Sequence, residues 1–435
     1  MAAILVAMRC LLVWIGLGCL AAAEVPPLVL GAPFRDHAVL QRDRPVPVWG
    51  RAGPGEEIAV TFADHRVEGR ADAQGRWRVH LPALPASAEP VDLVVTGTGR
   101  SLTLGDVVVG EVWICAGQSN MNRGVAEPGD GDSLIRQLKT KGGAETPQET
   151  ADAAWITAAK GTRGFSGCAY HFAQGLRRRI DVPVGLLVAA VDGSPIEPFL
   201  APAGVAGDPE LALLAERVAA APETTKFWNG MVHPLAPCAI RGVVWYQGES
   251  SAMHGTAYLN LFAALVRGWR QAWGDEHLPF LVVQLPNHRI DPAVEPIAGP
   301  AGDDGWTRIR EAQWRAGREI PGVTTVVTID IGDAADIHPG NKAEVGRRLA
   351  LAALSEVYGA EAIPWSGPVF AGQRAEGGRL ILRFDRADGG LMIVDGGPAL
   401  RGPAPESPAP RLRWFAVAGA DARWHHAEAR IVCVD

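Results

Sequence analysis

A mostly parallel α/β sheet flanked by smaller β-rich parts is the fold class this sequence predicts, on three observations. Apolar runs of strand length recur through the middle of the chain, at 107–115, 184–191, 242–246, 279–285 and 323–329. Runs that are largely apolar, without strict alternation, suit strands buried on both faces. Helix-length stretches with spaced apolar residues separate several of them, the alternation expected of a sheet covered by helices. Before 106 and after 364 the chain changes to short β-branched runs punctuated by Gly and Pro, as in small sandwiches.

Taken in order, residues 1–23 read as an export leader. Arg9 supplies a positive charge, Cys10–Leu17 an apolar run, and Ala21-Ala22-Ala23 a small-residue pattern that predicts cleavage after Ala23. A membrane anchor is the alternative, but the apolar stretch is short for a span. A lipoprotein attached through Cys19 is a further alternative, opposed by Gly16 where a bulky aliphatic residue is usual. Four cysteines remain beyond the leader: Cys115, Cys168, Cys238 and Cys433. Their spacing matches no metal site, and they read as buried apolar fillers.

Residues 24–105 form the expected N-terminal β domain, with strands over Pro45–Trp49, Glu57–Phe62, Arg76–Leu81 and Val91–Val95. Residues 106–360 carry the α/β domain, whose helices are expected at 166–179, 256–273, 306–319 and 340–357. Residues 361–435 are a C-terminal β-rich region, with strands at Arg379–Phe384 and Arg411–Val417 and a Pro-rich surface loop at 403–410. Loops at 125–165 and 287–305 are the expected walls of a site.

The 435 residues, 48% hydrophobic and 20% charged, are enough for a large core and exclude a disordered chain. A net charge of -7 without a long basic run excludes a nucleic-acid footprint. Exposed members among the 14 Trp are candidates to stack on sugar rings.

Ligands of open α/β sheets bind beyond the carboxyl ends of the strands, so the residues after each apolar run are the candidates. They are Gly117-Gln118-Ser119-Asn120, Asp192-Gly193-Ser194, Gln247-Gly248-Glu249-Ser250 and Asp333-Ala334-Ala335-Asp336-Ile337-His338. A serine nucleophile needs a base and the base an orienting group. Ser119 and His338 supply the first two. The sequence lacks a Gly-x-Ser-x-Gly elbow, which argues against the common α/β-hydrolase pattern. It also lacks His-Glu-x-x-His, and neither a metal nor a cofactor is expected.

The segments Glu111–Met121, Trp228–Leu235, Val244–Ser250 and Ile337–Lys342, with Phe34–Gln41 and Pro47–Gly50 in the β domain, resemble the sialate O-acetylesterase family, a branch of the SGNH hydrolases. The resemblance spans nearly the whole chain after the leader. It implies an SGNH-type three-layer α/β/α domain and an exported serine carbohydrate esterase acting on O-acetylated carbohydrate through an acetyl-Ser119 intermediate. By resemblance Ser119 is the nucleophile, His338 the base, and Ser119 and Gly193 give backbone donors to the oxyanion hole. Gln247 stands near the oxyanion-binding asparagine of other SGNH enzymes, a third donor by position. The acid of many SGNH enzymes lies three residues before the histidine, where this chain has Ala335. Asp336 is therefore the expected orienting carboxylate and Asp333 the alternative, with Glu249 either catalytic or structural. Gln118, Asn120 and Asn229 are expected to touch sugar or to support the loops. The alternatives in function are an acetylxylan or other plant-glycan acetylesterase of the same fold, and a non-catalytic carbohydrate-binding protein.

Overall fold

The computed structural model describes residues 26–288, 305–360, 363–387, 389–391, 412 and 415–432. The leader, most of the 287–305 loop, the Pro-rich stretch 403–410, Cys433 and part of the strand expected at 411–417 lie outside the described residues.

Eight strands open the chain: β1 (Val29–Leu30), β2 (Val39–Gln41), β3 (Val46–Arg51), β4 (Glu57–Phe62), β5 (His65–Arg70), β6 (Arg76–Leu81), β7 (Ser87–Gly97) and β8 (Arg100–Gly117). β1, β3 and β6 pair antiparallel in one sheet, while β5, β4, β7 and the first half of β8 form another. Along β6 exposed and buried residues alternate, so Trp77, Val79 and Leu81 face inward, as the period of a strand requires. β8 runs on from this sheet into the next, and every residue from 107 to 117 is buried. The boundary expected at 105/106 thus falls within a strand common to both parts.

The α/β part contains β9 (Ile135–Lys139), β10 (Trp155–Thr157), β11 (Val184–Ala190), β12 (Gly242–Tyr246), β13 (Phe280–Val283) and β14 (Val323–Val326). Their order is β10-β9-β11-β8-β12-β13-β14, parallel except for β10 against β9. Every residue of β11, β12 and β13 is buried, which a sheet achieves only when both faces are covered. The helices that cover it are α1 (Ser119–Asn122), α2 (Gly167–Ile180), α3 (Pro202–Val205), α4 (Ala212–Ala220), α5 (Tyr258–Trp273), α6 (Gly305–Glu319) and α7 (Lys342–Glu356). α2 packs on α7, and α5 on α3 and α6, completing an α/β/α arrangement. The segment 125–165, expected as a loop, contributes β9 and β10 to the sheet. No helix among the described residues is long and apolar enough to cross a membrane.

Beyond residue 364, β15 (Val369–Glu376) pairs with β16 (Arg379–Asp385), and β17 (Ala416–Ala418) with β18 (Trp424–His426). Cys115, Cys168 and Cys238 are free and buried, as fillers should be. Trp49, Trp77, Trp113, Trp155, Trp228, Trp245, Trp269 and Trp306 are core residues, whereas Trp424 is exposed.

Candidate active site

The order of the sheet changes direction at β8: β11 lies on one side and β12 on the other. A crevice therefore opens beyond the carboxyl end of β8, where such sheets hold ligands. Gly117 ends the strand with φ at 140°, and a Cβ there would stand 2.0 Å from the Tyr246 carbonyl oxygen. Only glycine lets β8 and β12 approach so closely before the chain turns. Ser119 then opens α1, and as a first-turn residue it has an N–H that the helix itself leaves without an acceptor.

His338 reaches the same point from the loop after β14. Its Nε2 lies 2.9 Å from Ser119 Oγ, so the structure brings the two together across 219 residues of sequence. Burial and the positive charge of Arg123 push the His338 pKa below its usual value. The other ring nitrogen has an unexpected neighbour. Arg123 Nη2 donates toward Nδ1 at 3.3 Å, whereas the nearest Asp336 oxygen is 3.9 Å away. Asp336 instead accepts the backbone N–H of His338 at 2.8 Å, and Asp333 accepts that of Ala335 at 2.8 Å. Of the two aspartates, Asp336 is the one beside the imidazole.

Gly193 lies in the turn after β11 with φ at 67°, and Val191 N–H donates to the Gly117 carbonyl at 3.1 Å. That bond holds the Gly193 turn next to the Ser119 turn. Gln247 does not fit the oxyanion position suggested by its place in the chain. It is fully buried, and its amide nitrogen faces Gln118 Oε1 at 3.1 Å, the Ser194 carbonyl at 3.2 Å and Ser251 Oγ at 3.0 Å. An amide group has two N–H donors, and these three acceptors occupy both.

Gln118 and Asn120 turn inward as supports. Gln118 Oε1 also accepts the N–H groups of Gly248 and Ser250 at 3.3 and 3.2 Å. Asn120 Nδ2 donates to Glu249 Oε1 at 2.5 Å and to the Ile337 carbonyl at 2.9 Å. Its Oδ1 accepts from Lys342 Nζ at 2.5 Å, and Lys342 donates again to the Pro339 carbonyl at 2.8 Å. One buried asparagine thus ties the serine turn to the histidine loop, to the loop after β12 and to the start of α7. Glu249 belongs to this support. Burial raises its pKa against the opposing pull of the Asn120 amide and Lys342. Burial likewise lowers Lys342 to about 8. Asn229 is buried, its amide nitrogen bonded to the carbonyls of Ala144, Glu145 and Pro222.

Sequence reasoning passed over Arg123 and Lys342. The lysine carried a signal: it shares a 3.6-residue stripe with Val345, Gly346 and Leu349, all buried, and a cation on such a face needs partners. Arg123 follows the quoted motif with no such signature. Among the described residues no group of three or more His, Cys, Asp and Glu is placed to hold a metal ion.

A serine hydroxyl held by an imidazole at the crevice of a parallel sheet is the equipment of a carboxylic ester hydrolase. Residues 109–355, more than half of the chain, match the family described as "Carbohydrate esterase, sialic acid-specific acetylesterase". The chain belongs to that family. Sialate O-acetylesterase from Homo sapiens is 25% identical over 374 residues, covering 74% of this chain and 69% of its own. The Pongo abelii protein of the same name gives the same identity and coverage. The crystal structure of a carbohydrate acetylesterase from Xanthomonas citri is 36% identical, with a TM-score of 0.78, covering 93% of this chain and 89% of that one.

Proposed function

We propose that this chain is an exported serine esterase that removes O-acetyl groups from glycans through an acetyl-Ser119 intermediate. The carrying observation is the 2.9 Å contact between Ser119 Oγ and His338 Nε2 at the crevice of the sheet. In this reading His338 takes the hydroxyl proton as Ser119 attacks the acetyl carbonyl, then delivers it to the departing sugar oxygen. Asp336 orients the imidazole and stabilises its cation. The backbone N–H groups of Ser119 and Gly193 receive the developing oxyanion. Water then enters by the same base and releases acetate. The sialate O-acetylesterase relatives favour an acetylated sialic acid as substrate, and the Xanthomonas citri structure supports carbohydrate ester chemistry in general.

The test is made on protein recovered from outside the cytoplasm of an expressing cell. Its N-terminus should be Glu24, and it should release acetate from O-acetylated sialosides in preference to acetylated xylo-oligosaccharides. Ser119→Ala should lower turnover by about 10³-fold or more with an unchanged thermal midpoint. Wild-type turnover in that variant overturns the assignment of Ser119. A retained leader overturns the export reading, and equal or better xylo-oligosaccharide turnover the sialoside one.

A further inference from the structure

The guanidinium beside His338 is hard to reconcile with a base that is always ready. A guanidinium can only donate, so an Arg123 N–H aimed at Nδ1 at 3.3 Å makes that nitrogen the acceptor. The ring proton then sits on Nε2, which donates to Ser119 Oγ and cannot take its proton. A working base needs the opposite tautomer, with Nδ1–H directed at an acceptor. The nearest carboxylate, Asp336, lies 3.9 Å from Nδ1, a short movement away from filling that role. Arg123 also opposes the imidazolium that forms during acyl transfer.

Among the described residues Arg123 has, moreover, no acidic partner. No carboxylate among the described residues lies within 4.0 Å of it, while Arg136, Arg241 and Arg348 each have at least one. Close by, Asp192 is engaged by the Asn122 amide at 2.6 Å, and Lys139 by the other end of that amide group. The rim beside the serine thus presents Arg123, with Lys139 and Asp192 already hydrogen-bonded to Asn122.

We infer that Arg123 reads a carboxylate on the sugar, and that its capture by that carboxylate frees His338 Nδ1 for Asp336. Acidic sugars such as sialic acids would therefore be hydrolysed in preference to neutral ones of the same shape. The ring proton passes from Nε2 to Nδ1 through solvent, with no change in total charge at the imidazole. The charged groups that act on His338 in this exchange are Arg123, Asp336, Lys342 and Asp192. The inference rests on the reading of Ser119 and His338 as nucleophile and base.

The experiment compares O-acetylated N-acetylneuraminic acid with its carboxamide, which keeps the sugar and the ester but removes the charge. Wild-type protein should favour the acid by about 10-fold or more in kcat/KM, in line with a charge-assisted bidentate contact. Arg123→Met should erase that preference, raising KM for the acid and raising kcat for the carboxamide. With p-nitrophenyl acetate, the acidic limb of the rate profile should move to higher pH in Arg123→Met, because a positive charge that depresses His338 has gone. That shift reports the guanidinium's charge on His338, whereas loss of the acid preference is what removing a purely structural arginine would not produce. Equal turnover of acid and carboxamide by the wild type, or an unchanged preference and limb in the variant, overturns the inference. Ser119→Ala separates the two levels: turnover retained there defeats the underlying assignment, whereas its loss beside an unaltered Arg123→Met defeats only the role of Arg123.

Discussion

At the scale of single residues, the most consequential side chain beneath the site is Lys342. Its ammonium is buried, bonded to Asn120 and the Pro339 carbonyl, and burial lowers its pKa from 10.5 to about 8. Below pH 8 the lysine is charged in both folded and unfolded chains, and its burial costs a constant amount. Between 8 and 10.5 the folded chain releases the proton first, so the penalty declines as pH rises and is gone above that window. Lys342→Met removes this dependence. The stability of the variant relative to wild type, measured by urea unfolding, should therefore fall by on the order of 3 kcal/mol from pH 7 to pH 11. Its kcat should drop even at pH 7, where Asn120 loses a partner and the histidine loop an anchor. A stability difference that stays level with pH would show that burial does not lower the pKa of the lysine. The same scale separates what a sequence shows from what it hides. Ser119 and His338 were legible because strand ends are legible, and the crevice lies where the strand order turns. The aim of Gln247 was not, since position in a chain does not say whether an amide faces the crevice or the core.

At the scale of elements, β8 is the member on which the others depend. Glu111, fully buried on it, accepts from Arg241 at 2.7 and 3.1 Å, from Arg42 at 2.5 Å and from Gln41 at 3.2 Å. Gln41 belongs to the β-rich part and Arg241 leads into β12, so the carboxylate clamps two parts of the molecule to one strand. Burial alone would raise its pKa, but Arg241, Arg42 and Gln41 outweigh that and hold it below the usual value. Its stabilisation is thus present above the ordinary carboxylate pKa and lost as pH falls through the lowered one. Glu111→Ala should cost about 3–5 kcal/mol, the range for removing one partner of a buried ion pair. Chemical unfolding at pH 7 checks this, and a loss below 1 kcal/mol would mean the arginines find water instead. The buried apolar strands were legible from their composition. β9 was not, because its buried residues include Arg136 and Gln137. Arg136 is paired with Asp106, and Gln137 bonds the Ser166 N–H and the Gly164 carbonyl, so the strand hides its burial behind polar side chains.

At the scale of the whole molecule, the two flanking β parts are joined to the α/β sheet in different ways. The N-terminal part shares β8 itself: β7 pairs along its first half, and β2 pairs with Val108–Gly110. By contrast, β15 and β16 pair only with each other among the described residues, and β17 only with β18. Among the described residues the first of these hairpins is linked back through Arg386, which stacks on Trp365 at 4.8 Å and donates to Ser366 at 3.0 Å. An exposed cation–π contact of that kind contributes about 0.5–1 kcal/mol. Ile363 and Trp365 do pack against the core, and Trp365 donates to Glu356 at the end of α7, so a separable C-terminal unit would begin just after them. We propose that it does. A chain ending at Ser366 should keep p-nitrophenyl acetate turnover within about 2-fold of the full chain, because α7, the Lys342 anchor and all four strand ends of the site remain. Its thermal midpoint should fall by no more than a few degrees, as expected for a loss of about 1 kcal/mol in a chain of this size. If removal of that region instead abolished turnover or folding, the C-terminal strands would have to be counted as part of the catalytic unit, as β8 makes the N-terminal ones.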